Sequence, residues 1–357
     1  MITLLGTSHL FAQEGFQWFD PQKADMQVIE GQAFPKECKG VYQRFAESRK
    51  ETIPSWVWDL SIHSAGITLQ FRTNASEIRV RYTTISRSYA MPHMPATGVS
   101  GLDLYGTDSD GNSMLCHGVY SFNDTITYSY RNLTYHDEDY IYELFLPLYN
   151  GVKWLEIGVP SNAKFGFVEA SNEKPILIYG TSIAQGGCAT RPAMAWTSLV
   201  KRELKMPVIN WGFSGSGRLD PEMFDMMCDI DARLFIIDCI PNMVLSPDRI
   251  VPLMTDGVRK LRTRTSAPIL IVEHDGYANQ QICESDRLEY QKGNEECRKA
   301  YQQLRAEGVK NLWYLSYDDI NMHPDGMVDC THSTDLGMMY YANAYLKKIR
   351  HILRKQR

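Results

Sequence analysis

From Ile67 to Tyr82 apolar and polar positions alternate. Ile67-Thr-Leu-Gln-Phe-Arg72 and Glu77-Ile-Arg-Val-Arg-Tyr82 flank the turn-prone Thr73-Asn-Ala-Ser76. A period of two marks a strand with one wet face, and the insert predicts an antiparallel hairpin. Short runs of the same kind recur over 119–130, 141–149 and 154–159. Helical periodicity is hard to find between residues 20 and 165. The first half therefore predicts a β-sandwich or jelly roll.

Past residue 175 the period changes. Ile176–Tyr179, Val208–Trp211, Leu234–Asp238, Ile269–Glu273 and Leu312–Leu315 are short apolar runs. Longer segments with helix-like spacing separate them, such as 248–263 and 287–307, and 334–354 reads as a closing helix. Strands alternating with helices predict a parallel, doubly wound, three-layer flavodoxin-like α/β domain. The polar patch Ala170-Ser-Asn-Glu-Lys-Pro175 marks the join. The expected division is 1–13, a signal-peptide remnant; 14–172, a β-sandwich domain; and 173–357, an α/β domain.

Composition narrows the function classes. Hydrophobic residues make up 44% of the 357 residues and charged residues 22%, with a net charge of -5, as in ordinary soluble proteins. No basic block suggests a nucleic-acid partner, and no apolar run reaches the roughly 20 residues that span a bilayer. Met1–Gln13 reads as the tail of a secretory signal lacking its basic start, which predicts a periplasmic or secreted protein; the alternative is a loosely packed start. The oligomeric state is open. The eight cysteines show neither zinc-motif spacing nor a C-x-x-C pair, so most are expected to be buried thiols. A disulfide or two is compatible with this, without a pairing.

The candidate chemistry lies at the ends of the apolar runs, where ligands bind in an open parallel sheet. The first run ends in Gly180-Thr-Ser182. By itself this is common loop chemistry, but it is also a place for a nucleophile. The second ends in the Gly-rich Asn210-Trp-Gly-Phe-Ser-Gly-Ser-Gly-Arg218, which exposes N–H groups able to stabilise an oxyanion. Ser214 and Ser216 in it are rival nucleophiles. The third ends in Pro241-Asn242, whose amide is another donor. Beyond the fifth stands Asp329-Cys-Thr-His332. A carboxylate three residues before a histidine can hold Nδ1–H and leave Nε2 free to take a serine proton.

In order and spacing these blocks resemble the four conserved blocks of the SGNH (GDSL-type) hydrolases, over residues 174–354. The resemblance implies Ser182 as nucleophile, His332 as base and Asp329 as its orienting partner. It implies an oxyanion hole from the N–H groups of Ser182 and Gly215 and the side chain of Asn242, with no cofactor and no metal. Thr181 stands where the family usually has Asp, and the third block lacks its usual Gly. Gly101-Leu-Asp-Leu-Tyr105, together with the Gly180–Pro192 stretch, resembles a bacterial subgroup with an N-terminal GxDLY β-domain, similar to carbohydrate O-acetyl esterases. The implied function is a serine esterase removing O-acetyl groups from a carbohydrate or another small ester. The alternatives are a lipid or aryl esterase or thioesterase, and a glycan-binding protein with a degenerate hydrolase domain. Arg191, Glu273 and Tyr105 are candidate substrate contacts. Trp56, Trp58, Tyr89 and His93 are candidate sugar-stacking or packing residues, and His274 is a rival base.

Overall fold

The computed structural model describes residues 15–108, 110–133 and 140–356. The expected signal remnant lies outside the described residues. Residues 15 to 167 build two antiparallel sheets packed face to face. One has the order Phe16–Phe19, Val152–Pro160, Glu77–Thr84, Ile126–Arg131, Gly118–Ser121. The other runs Phe165–Phe167, Thr68–Thr73, Tyr140–Phe145, Asp103–Thr107, Ser113–Leu115. Alternating burial of Ile78, Val80 and Tyr82 on one strand and Leu69 and Phe71 on the other fills the space between the sheets.

That arrangement corrects the expected hairpin. Thr68–Thr73 pairs with Tyr140–Phe145, and Glu77–Thr84 pairs with Val152–Pro160 and Ile126–Arg131. The intervening turn carries the chain from one sheet to the other, with Ala75 buried beneath it. Alternation identifies a strand with one dry face; it does not name the strand's neighbour. The first half also contains a helix, Ser55–Ser61, which buries Val57 and Trp58.

The second half is a five-stranded parallel sheet. Its order is Val208–Gly212, Ile176–Gly180, Leu234–Asp238, Ile269–Val272, Leu312–Leu315. In chain order that is 2-1-3-4-5, the flavodoxin-like order with its switch point at the first strand. Every residue of the first four strands is buried, as expected of strands covered on both faces. The flanking helices Ile250–Arg262, Glu284–Ala306 and Asp335–Arg354 fall within a few residues of the expected segments. Among the described residues no helix is long and apolar enough to cross a membrane.

The two regions share their cores. Phe45, Val57 and Trp58 of the first pack with Trp211, Phe213 and Met223 of the second, on one face of the parallel sheet. Ala65, Met94, Val99 and Leu148 pack with Ile176, Ile183 and Trp196 on the other. Polar groups are buried at the join as well. Lys201 is paired to Glu30 at 3.0 Å and to Glu143. Burial would lower its pKa, but the two carboxylates raise it to about 12.

Candidate active site

The first parallel strand ends at Gly180, and a one-turn helix, Ser182–Gln185, starts at once. Thr181 caps it: its hydroxyl accepts the Ile183 N–H at 3.3 Å. A short side-chain oxygen is all that this position needs for capping, so threonine serves in place of aspartate. The Ser182 carbonyl accepts from the Tyr149 hydroxyl of the sandwich region at 3.2 Å. Ser182 itself is nearly buried.

The loop after the fifth strand brings the other groups. Cys330 has φ +68°, a left-handed conformation uncommon for a residue with a Cβ, and its carbonyl accepts the Ala278 N–H at 3.0 Å. This sharp reversal folds Asp329 back over the loop. Its Oδ1 accepts the N–H groups of His332 at 2.8 Å and Thr331 at 3.3 Å. Its Oδ2 lies 2.8 Å from His332 Nδ1, and His332 Nε2 lies 2.8 Å from Ser182 Oγ. Partial burial would raise the pKa of Asp329, but these bonds from His332 and Thr331 outweigh it and hold the carboxyl below its usual range. Such a chain of hydrogen bonds lets an imidazole take up a hydroxyl proton while a carboxylate steadies the charge. The ring faces Ser182 and not the rivals Ser214 or Ser216.

Gly215 has φ +67° and open space where a Cβ would stand. Gly217 packs so closely on the first strand that a Cβ would meet the Gly180 carbonyl oxygen at 2.0 Å. Among the described residues no hydrogen bond engages the N–H of Ser182 or of Gly215. The Asn242 amide lies beside the same loop, donating to the Phe213 carbonyl at 3.4 Å. Asn210 is fully engaged below it, donating to Ala184 O at 2.8 Å and Thr197 Oγ1 at 3.0 Å and accepting the Gly212 N–H at 2.8 Å. It fixes the helix of Ser182 against the Gly-rich loop.

Two expected substrate contacts are corrected. Glu273 is 1% exposed and bonded to Arg298 and Tyr314, each at 2.6 Å, and to the Tyr317 N–H at 2.7 Å. Its carboxylate accepts three internal hydrogen bonds and is shut off from solvent, out of a ligand's reach. Tyr105 is 5% exposed, with its hydroxyl on Arg191 at 2.9 Å. Arg191 in turn donates to Asp103 at 3.0 Å, and Asp103 accepts the Ala193 N–H at 2.8 Å. The Asp and Tyr of Gly101–Tyr105 thus clamp the loop that follows Ser182. His274 is fully buried, its Nδ1 accepting the Gly276 N–H, away from the serine. Trp58 and Tyr89 are in packing contacts, and Trp56 is half exposed. Of the aromatic candidates His93 reaches the site, with its ring 5.9 Å from that of His332. All eight cysteines are free thiols.

Sequence reasoning missed the supports supplied by the sandwich. Arg44 is wholly buried, with no carboxylate partner among the described residues. It donates to the carbonyls of Gly212 and Leu60, and its guanidinium lies 4.5 Å from the Phe213 ring centroid. Burial lowers its pKa to about 9, which still leaves it charged near neutral pH. Gln185 joins the halves: its amide nitrogen donates to Leu148 O at 3.0 Å and to His63 Nδ1 at 3.1 Å, while its oxygen accepts the Ser214 N–H at 3.0 Å. Burial, and then the charge of Arg44, lower the His63 pKa to about 4.

Comparison with known proteins bears on the family and the fold. A family model described as GDSL-like lipase/acylhydrolase matches residues 173–350, and one described as the N-terminus of SGNH hydrolase-type esterases matches residues 16–165. A solved structure from Bacteroides ovatus, described as a GDSL-like lipase, is 31% identical with a TM-score of 0.87. It is matched over 95% of this chain and 98% of its own. A salicylyl-acyltransferase from a tetracycline biosynthetic pathway is 18% identical at TM-score 0.73, over 94% and 97% of the two chains. A family two carbohydrate esterase from Cellvibrio japonicus is 13% identical at TM-score 0.56, over 96% and 100%. No curated protein matches the sequence.

Proposed function

The chain belongs to the GDSL-like lipase/acylhydrolase family, and from that premise we propose that it is a serine esterase that removes O-acetyl groups from a carbohydrate. The observation that carries this reading is the 2.8 Å approach of His332 Nε2 to Ser182 Oγ, with Asp329 at 2.8 Å behind the ring. In the proposed reaction His332 takes the Ser182 proton as Oγ attacks the ester carbonyl. The oxyanion is held by the N–H groups of Ser182 and Gly215 and by the Asn242 amide, which leaves the Phe213 carbonyl to do so. The sugar hydroxyl leaves with the proton from His332. Water then attacks the acetyl-enzyme by the reverse path. Asp329 stays ionised throughout, as its depressed pKa favours.

The carbohydrate ester is supported by the fold shared with a family two carbohydrate esterase and by the GxDLY match. A periplasmic or secreted location suits such a substrate. The test is acetate release from acetylated oligosaccharides and from p-nitrophenyl acetate, comparing wild type with Ser182→Ala. Turnover in wild type and its loss in the variant support the reading. Activity of Ser182→Ala within about tenfold of wild type overturns it. A p-nitrophenyl ester series separates acetyl from longer acyl preference.

A further inference from the structure

His332 is met from the other region by a side chain that the ester chemistry does not use. Met91 and Met94 exchange backbone hydrogen bonds of 2.9 and 3.1 Å, closing a tight turn with His93 at its tip. Met94 is buried in the shared core, so the turn is anchored while His93 is exposed. Cys188 lies in the loop after Ser182, buried, with its N–H on the Ser333 carbonyl at 3.1 Å. One ligand atom each of His93, Cys188 and His332 lie within 4.8 Å of one another. These residues are 95 and 144 positions apart (188 − 93 and 332 − 188), so no sequence motif announces them.

We propose that His93, Cys188 and His332 form a binding site for a soft divalent ion of the zinc class, and that an occupied site blocks ester hydrolysis. Two imidazoles and a thiol suit zinc and its neighbours, and not calcium or magnesium. Bonds of about 2.0–2.3 Å in a tetrahedron put ligand atoms about 3.5 Å apart, so no ligand pair that lies within 4.8 Å has to close by more than about 1.3 Å on binding. Rotation of the exposed His93 side chain supplies its own share of that movement. The Cys188 thiol proton is released to solvent as the ion binds. A fourth position stays open for water.

The exclusion follows from His332. One of its ring nitrogens is on Asp329 and the other on Ser182, each at 2.8 Å. A metal ion at either nitrogen displaces one of those bonds, so the ion and the proton relay cannot hold the ring together. The inhibitory half of the proposal rests on the functional reading above; the binding half does not.

The test therefore starts with a readout that needs no turnover. Co²⁺ alone is titrated into the full chain, as wild type and as Ser182→Ala. A thiolate-to-cobalt charge-transfer band is expected in both. In Cys188→Ser the band should vanish, and in His93→Ala it should need about 100-fold more Co²⁺ or beyond, since even losing a partner of a metal ligand costs 10–100-fold. No band in wild type with Co²⁺ in excess, or an unchanged band in Cys188→Ser, overturns the site. Zn²⁺ should then suppress p-nitrophenyl acetate hydrolysis by wild type, and EDTA should restore it. His93→Ala, scaled to its own metal-free rate, should need about 100-fold more Zn²⁺ for the same suppression. Equal sensitivity in that variant overturns the blocking. An inactive wild type counts against the esterase reading, and the cobalt titration still decides the site.

Discussion

In the parallel-sheet region the polar groups near Ser182 face one another across strand-end loops: the serine, the imidazole, the Asp329 carboxylate and the Gly215 N–H of the Gly-rich turn. In the sandwich region the polar groups nearest to them are turned the other way. Arg44, Asp103 and His63 spend their hydrogen bonds on the loops that carry those reactive atoms. In the proposed reaction one region holds groups that change partners; the other holds groups whose partners stay fixed. Reactive side chains have to be held close to working geometry, and a loop seldom does that alone. Burial follows the same contrast for the two carboxylates: Asp329 keeps 41% of its side-chain surface, whereas Asp103 keeps 6%.

Substitutions can break that contrast or sharpen it. The largest effect is expected at Ser182→Ala, which should lower kcat by about 10⁶ with little change in stability. Asp329→Asn keeps the shape but favours the wrong imidazole tautomer, and should cost about 10⁴ in kcat. Asn242→Ala should cost about 10²–10³, mainly in kcat, because its amide is needed once the oxyanion forms. On the supporting side, Asp103→Asn should lower kcat by about 10-fold to 10² through displacement of the loop after Ser182. Combining it with Arg191→Met should add little, as for two parts of one clamp. A full additive loss would show that the two act separately.

The smallest effect concerns stability and pH. His63 titrates near 4 in the folded chain against an ordinary 6.5. Between those values the unfolded chain binds the extra proton, so stability is full above about pH 6.5 and falls as pH drops towards 4. The loss is at most about 3 kcal/mol. Urea midpoints at neutral pH and near pH 4.5 should differ more for wild type than for His63→Gln. Equal differences would remove His63 from the account.

The five apolar runs of the parallel sheet were legible because strands buried on both faces leave continuous hydrophobic stretches. Ser182, Asp329 and His332 could be singled out because each follows such a run and their order resembles the family blocks; the structure brings the three side chains together. Thr181 was legible as a departure, and its hydroxyl supplies a capping bond in that place. The hairpin was misread because alternation carries no information about pairing. Glu273 and Tyr105 were misread for a related reason: a strand end near the cleft does not say which layer covers the side chain. Arg44 stayed invisible, and Asp103 was seen as part of a motif but without its partner, because their partners lie 168 and 88 residues away. Nothing local distinguishes a buried arginine that binds carbonyls from an exposed one.

The shared cores bear on the ancestry of such chains. A lineage that exchanged the first 170 or so residues for an unrelated sandwich would lose Phe45, Val57 and Trp58 from under one face of the parallel sheet, and Ala65, Met94 and Leu148 from the other. It would also strip the Gly212 carbonyl of its arginine. The sandwich is therefore a poor cassette for shuffling between genes. Drift on either side has to be answered by drift on the other, and the halves should carry one evolutionary history.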